Sequence, residues 1–170
     1  MMNKLPSFTF KPWRSVAIAF LCVMWVLAGA LWSTAAASDL LRDRESLLSL
    51  HAQERQAHLR GDADLLAREM ADQVTDVEDG KVNVRSREEM RRRFTDYFSQ
   101  VKYSFWDDVV APRVRVSPDG QMAWVVIQVK AGLSDVAGPK AGQAREFQSS
   151  WISIYEKRER SGTWSESRLA

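Results

Sequence analysis

From Ser15 to Trp32 the chain runs without a single charged residue, and the residues before it carry Lys4, Lys11 and Arg14 but no acid. Such a segment has no polar face to offer water, so it does not belong to the surface-exposed part of a small domain. A basic start, an apolar stretch and then the small residues Ser33-Thr34-Ala35-Ala36-Ala37-Ser38 form the pattern of a secretory signal peptide, with Ala35 and Ala37 at the peptidase site. The cations stay on the cytoplasmic side while the apolar stretch enters the bilayer. The expectation is a leader over residues 1–37 and one domain over residues 38–170. The alternative is an uncleaved anchor, because the apolar run approaches the ~20 residues that span a membrane. Either way the folded part lies outside the cytoplasm, periplasmic or secreted, with membrane contact only through an uncleaved leader.

Removing the leader changes the charge balance. The chain has 24 basic and 22 acidic residues, and without Lys4, Lys11 and Arg14 the remainder is close to neutral. That balance lacks the basic stripe a nucleic-acid partner requires, and Arg91-Arg92-Arg93 reads as a solvated helical face. The one cysteine, Cys22, falls in the leader. Ala19-Phe20-Leu21 before it lacks the small residue a lipidation site requires. A cleaved product therefore has no disulfide, thiol catalysis or cysteine-ligated zinc.

After Asp39 the pattern becomes helical. Leu41, Leu48, Ala52, Arg55 and Leu59 form the expected buried stripe, flanked by Leu40, Leu47, His51 and His58, and Gly61 is a natural stop. Asp62 or Asp64 caps a short second helix through Leu65, Leu66 and Met70. Val74–Glu78 and Val82–Val84 alternate on either side of Asp79-Gly80, which predicts a hairpin. Ser86 and Glu89 make a capping box for a third helix with Met90, Phe94, Tyr97 and Phe98 on one face.

The rest reads as strands: Tyr103–Val110, a bulge or bend at Pro112, Val114–Val116, Met122–Lys130, Glu146–Glu156 and Trp164–Ala170. A Gly- and Ala-rich loop is expected over Gly132–Gly142. Three helices followed by a mostly antiparallel meander describe an α+β domain, and a bent sheet over the helices encloses a pocket.

The run Leu50–Asp62, then Asp79-Gly80-Lys81-Val82, Ser86-Arg87-Glu88 and Phe94-Thr95-Asp96-Tyr97-Phe98, resembles the helices and hairpin of NTF2-like proteins of the SnoaL or DUF4440 type. Tyr103–Asp108, Ser117–Trp124 and Tyr155-Glu156-Lys157 with Trp164 resemble the strands of the same group. The resemblance implies a cystatin-like cone, with three N-terminal helices packed on a strongly bent sheet, often dimerising through that sheet. It does not imply one activity, since such proteins include isomerases, dehydratases, cyclases, binding modules and association domains. Relatives usually continue several residues beyond the position of Ala170, so a pocket residue from the end of the last strand is expected to be missing.

Candidate chemistry is sparse. His51 and His58 are the only histidines, and His58 would act as a general base beside a carboxylate such as Asp76; the alternative is that both bond to backbone or water. No His-x-His or His-x-x-x-His pair suggests a metal, and no cofactor motif is present. Asp76 and Glu78 share one strand face, as an acid/base pair or as a wet surface. Tyr97, Trp106, Trp124, Phe147, Trp151 and Trp164 form either a stacking wall or a core and dimer surface. Gln128 shares a strand face with Trp124, and Ser149 shares one with Trp151, which would supply polar groups among the rings. The expected ligand set is His58, Tyr97, Trp106, Trp124, Gln128 and Trp151, around a small apolar molecule and without a cofactor. The rivals are an isomerase, dehydratase or cyclase using His58 or Asp76, and a homodimeric association module without a ligand.

Overall fold

A computed structural model describes residues 39–158 and 161–169. The leader, its cleavage site and Cys22 lie outside the described residues. Helix α1 covers residues 39–60 and ends where Gly61, at φ 65°, turns the chain. Gly61 donates its backbone N–H to the His58 carbonyl at 3.2 Å and Asp62 donates to the Ala57 carbonyl at 2.9 Å, the paired bonds of a Schellman cap. The face turned inward differs from the expected stripe. Leu47, His51, Ala57 and His58 are buried, whereas Leu41 is 61% exposed and Ala52 lies on the surface. The reason is chemical: the buried line carries His51, Glu54 and His58, and a count of apolar residues assigns polar positions to water.

Asp62 caps α2 (Ala63–Ala67) by accepting from the Leu65 N–H at 2.8 Å. Helix α2 is shorter than expected, because Met70 is already the first residue of β1 (Met70–Glu78). Asp79 at φ 51° and Gly80 at φ 74° join β1 to β2 (Lys81–Ser86), the positive pair that a two-residue hairpin with native twist requires. The Ser86/Glu89 capping box opens α3 (Arg87–Gln100), which buries Met90 and Phe98.

Strands β3 (Val101–Asp108) and β4 (Arg113–Val116) run one after the other along the same edge of β5 (Met122–Asp135). The interruption between them contains Pro112, where the sequence requires a break in the ladder. Strand β5 extends further than expected, through Gly132 to Asp135. Gly132 stays in the strand because the Phe105 ring occupies its missing side-chain position: a Cβ there would stand 2.4 Å from Phe105 Cε1. Strand β6 (Ala144–Lys157) pairs with β5 from Met122↔Glu156 to Ser134↔Ala144, and β7 (Trp164–Leu169) closes the order.

The seven-stranded sheet has the order β2-β1-β7-β6-β5-β3, with β4 beside β5. The β1–β7 pair is parallel and the others are antiparallel. The sheet is strongly curved, and its inner face packs on the helices as the sequence pattern predicts for an α+β cone. Ala123, Val125, Ile127, Val129 and Ala131 alternate inward along β5, each wholly buried. Removing one such Val or Ile side chain from water contributes roughly 1.5–3 kcal/mol.

A candidate ligand-binding cavity

A cavity of about 380 Å³ opens between the helices and the inner face of the sheet. Helix α1 supplies Glu54 and His58, α3 supplies Phe94 and Tyr97, and β3 supplies Tyr103 and Trp106. Strand β6 adds Phe147, Ser149 and Trp151 by its period of two, and β7 adds Glu166.

His58 organises one wall. Its ring stacks on Trp106 with centroids 3.8 Å apart and planes 27° apart. Phe98 and Tyr103 meet it edge-on at 5.5 Å. Its Nδ1 lies 2.9 Å from the Glu54 carbonyl, so Nδ1 carries the proton and Nε2 the lone pair. Burial pushes the His58 pKa below its usual value, only partly offset by Glu54, and the ring is neutral.

The helix is held at this position by polar bonds to β3. His51 Nε2 lies 2.7 Å from Asp108 Oδ1, and Arg55 Nε donates to the Trp106 carbonyl at 2.5 Å. Burial opposes a charge on His51, but hydrogen bonds and charges from Glu54 and Asp108 outweigh it and raise its pKa. The Tyr97 and Tyr103 hydroxyls bond to each other at 2.8 Å, and Trp151 Nε1 donates to Ser153 Oγ at 3.2 Å. The buried Trp106 Nε1–H has no acceptor within hydrogen-bond distance among the described residues.

Glu54 and Glu166 line this cavity and also border a second, smaller hollow with Tyr155. Burial, reinforced by the negative charge of Glu54, pushes the pKa of Glu166 up to about 8. Tyr155 is raised as well, by burial and then by the two carboxylates. Glu166 therefore holds a proton at neutral pH.

Of the residues expected from sequence, His58, Tyr97, Trp106 and Trp151 meet at this cavity, together with Phe147 and Ser149. Trp124 and Gln128 do not. They lie on the outer face of β5, opposite the inward Ala123, Val125, Ile127 and Val129, and Trp124 is 38% exposed. Asp76 is absent from the lining as well: it is ion-paired to Arg85, while Glu78 is bonded to Arg93 at 2.9 Å. Asp76 and Glu78 do share a side, but arginines neutralise it, and no His58–Asp76 proton shuttle is formed. Trp164 is buried elsewhere, donating from Nε1 to Asp43 at 3.3 Å. Among the described residues no group of three or more His, Cys, Asp or Glu side chains is placed to hold a metal ion.

Sequence reasoning missed both cavity acids. Glu54 had a signal, since it precedes His58 by one helical turn on the same face. Glu166 follows Trp164 by two in a strand and so shares its inward side. The last strand thus supplies a pocket residue from its first half.

No protein-family profile matches this sequence, and no curated protein is similar to it. Solved structures do resemble it. A protein from Xanthomonas campestris described as a calcium/calmodulin dependent protein kinase II association domain is 22% identical, with 72% of this chain and 81% of that one covered at a TM-score of 0.56. A ketosteroid isomerase-like protein from Erwinia carotovora atroseptica is 15% identical, covering 74% and 91% at 0.58. A protein of the NTF2-like family from Streptomyces avermitilis, described as a dehydratase, is 16% identical, covering 75% and 93% at 0.55. Their descriptions span association, isomerase-like and dehydratase proteins on one architecture, and identities this low carry the fold alone. Element order, curved sheet and structural likeness agree: this chain has the NTF2-like fold.

Proposed function

We propose that the chain is an exported binding domain that takes a small, ring-bearing molecule into its cavity. One observation carries the reading: Trp106, Tyr103, Tyr97, Phe147 and Trp151 converge from three elements on the same 380 Å³ space. Ring faces around a hollow stabilise a flat apolar ligand by stacking beyond simple area burial. Calorimetric titration with 1-naphthalenemethanol tests it. Saturable one-site binding that Trp106→Ala weakens tenfold or more is the expected result, and the reading is defeated if neither this alcohol nor a charged analogue on the same ring binds the folded wild-type chain. Export rests on the basic and apolar leader. Intact-mass measurement of the periplasmic product is expected to give a start at Ser38.

A second observation favours self-association. Val126 and Ile152 are register partners on the outer face, beside Trp124, and all three are 38–41% exposed. An apolar sheet face of this kind suits a second copy of the chain. Light scattering on the eluting protein is expected to give a dimer that Trp124→Glu dissociates; a wild-type monomer at micromolar concentration rejects it.

A further inference from the structure

The cavity pairs aromatic walls with acids and with no permanent cation. Glu54 and Glu166 both line it, and none of its lining residues is Lys or Arg. The only basic side chain in the lining, His58, is held neutral by burial. Tyr97 and Tyr103 spend their hydroxyls on each other, which leaves Ser149, the unpartnered Trp106 Nε1–H and the His58 Nε2 lone pair as the uncharged polar groups of the lining residues. Of the cations near the wall, Arg55 is held by the Trp106 carbonyl and by Asp107 at 2.8 Å, and Arg145 is exposed and bonded to Asp135 at 3.3 Å. No Lys or Arg among the described residues is ion-paired to either acid; Glu54 has only His51, at 3.5 Å. Ser153 is the hydrogen-bonding neighbour of Glu166.

Resting on the binding reading above, we infer that the ligand is an organic cation, an amine or quaternary ammonium on a ring-bearing or alkyl body. The π faces of Trp and Tyr attract a cation, more so where water is excluded. The carboxylate pair supplies the counter-charge that a neutral ligand does not need. An anion would meet two acids and no permanent cation, a like-charge contact in low dielectric. The empty site avoids that repulsion by keeping a proton on the pair. Arrival of a cation replaces it: one positive charge enters and one proton leaves, so the charge of the cavity is unchanged.

The groups facing Glu166 are Glu54 and His58 from α1, Glu69 between α2 and β1, Tyr155 and Ser153 from β6, and Tyr103 from β3. Of these, Glu166 is the one that exchanges a proton near neutral pH. Its raised value, about 8, belongs to the empty site. Cation binding therefore strengthens as pH rises toward and past that value, while a quaternary ammonium itself does not titrate.

The test uses three probes on one ring system: (1-naphthylmethyl)trimethylammonium, 1-naphthalenemethanol and 1-naphthylacetate, titrated calorimetrically at pH 6 and pH 9. The cation is expected to bind at least tenfold tighter than the alcohol at pH 9, and the carboxylate weakest. Cation affinity is expected to rise severalfold from pH 6 to pH 9. At pH 7 the binding heat should vary with the ionisation enthalpy of the buffer, the sign of proton release. Glu166→Gln, and independently Glu54→Gln, should bring the cation-to-alcohol ratio toward one, with folding checked by circular dichroism. If the alcohol binds as tightly as the cation, or the carboxylate binds best, the cation inference fails while the cavity remains a binding site. A cation affinity indifferent to pH and to both substitutions has the same consequence. If none of the probes binds, the binding reading itself fails.

Discussion

The imidazole of His58 lies against the indole of Trp106 at a centroid separation of 3.8 Å, and the Trp106 carbonyl is bonded to Arg55 on the same helix. One face of α1 thus fixes both the ring and the backbone of a single β3 residue. His58→Ala removes that stack and leaves a hole beside Phe98 and Tyr103. The expected cost is about 2–4 kcal/mol in urea unfolding, as for other large-to-small changes at buried positions. His58→Phe, which keeps a ring there, should recover most of it.

The two histidines of α1 should titrate apart. Proton NMR of the imidazole rings is expected to place His51 above 6.5, since Glu54 and Asp108 outweigh its burial, and His58 below it, since burial dominates. Each links to stability with its own sign. His51 stabilises the fold at low pH and loses that contribution as pH rises through its raised value. His58 works in reverse, and its contribution is lost as pH falls below 6.5 toward its lowered value. Asp108→Asn should move the His51 titration downward and leave that of His58 in place.

Glu166 adds a third pH effect. Its folded pKa, about 8, exceeds the ordinary 4.5, so the folded chain holds a proton that the unfolded chain releases. That contribution is complete below pH 4.5 and is lost as pH rises through about 8. The urea midpoint of Glu166→Gln is expected to fall less between pH 5 and pH 9 than that of the wild type. Parallel slopes for the two proteins would contradict the assignment.

Gly132 offers a test of packing. An alanine methyl would sit 2.4 Å from Phe105 Cε1 and 2.8 Å from Ser104 Oγ. Gly132→Ala should destabilise by about 1–3 kcal/mol, the usual penalty for overpacking. Phe105→Leu in the same chain should relieve part of it, a coupling that a double-mutant cycle reads directly.

A polar clasp joins α1 to the last strands. Asp43 accepts from Lys157 Nζ at 2.7 Å and from Trp164 Nε1 at 3.3 Å, and both charged side chains are at most 20% exposed. Asp43→Ala strands a partly buried ammonium and an indole N–H, so thermal unfolding should show a loss of about 1–3 kcal/mol.

What the sequence made legible was local chemistry. The Asp79-Gly80 turn, the Ser86/Glu89 box and the Gly61 stop each use residue types with few other roles, and each sits where it was expected. The choice of face was harder. Along β5 both sides are apolar, with Val125 and Ile127 inside and Trp124 and Val126 outside, so alternation alone does not say which row faces the helices. On α1 the inward line carries His51, Glu54 and His58, and polarity misdirected the assignment by one position. Glu166 was not linked to Glu54 because only the closing of the sheet brings α1 and β7 together.

That closing has a consequence for how the protein is made. Strand β7 lies between β1 and β6, so the β1–β2 hairpin is joined to the rest of the sheet only through the strand that comes last in it along the chain. A nascent chain emerging from the ribosome cannot complete this sheet until residues 164–169 are free. The first hairpin, formed from residues 70–86, must therefore wait for a strand almost eighty residues further along the chain before it can join this sheet.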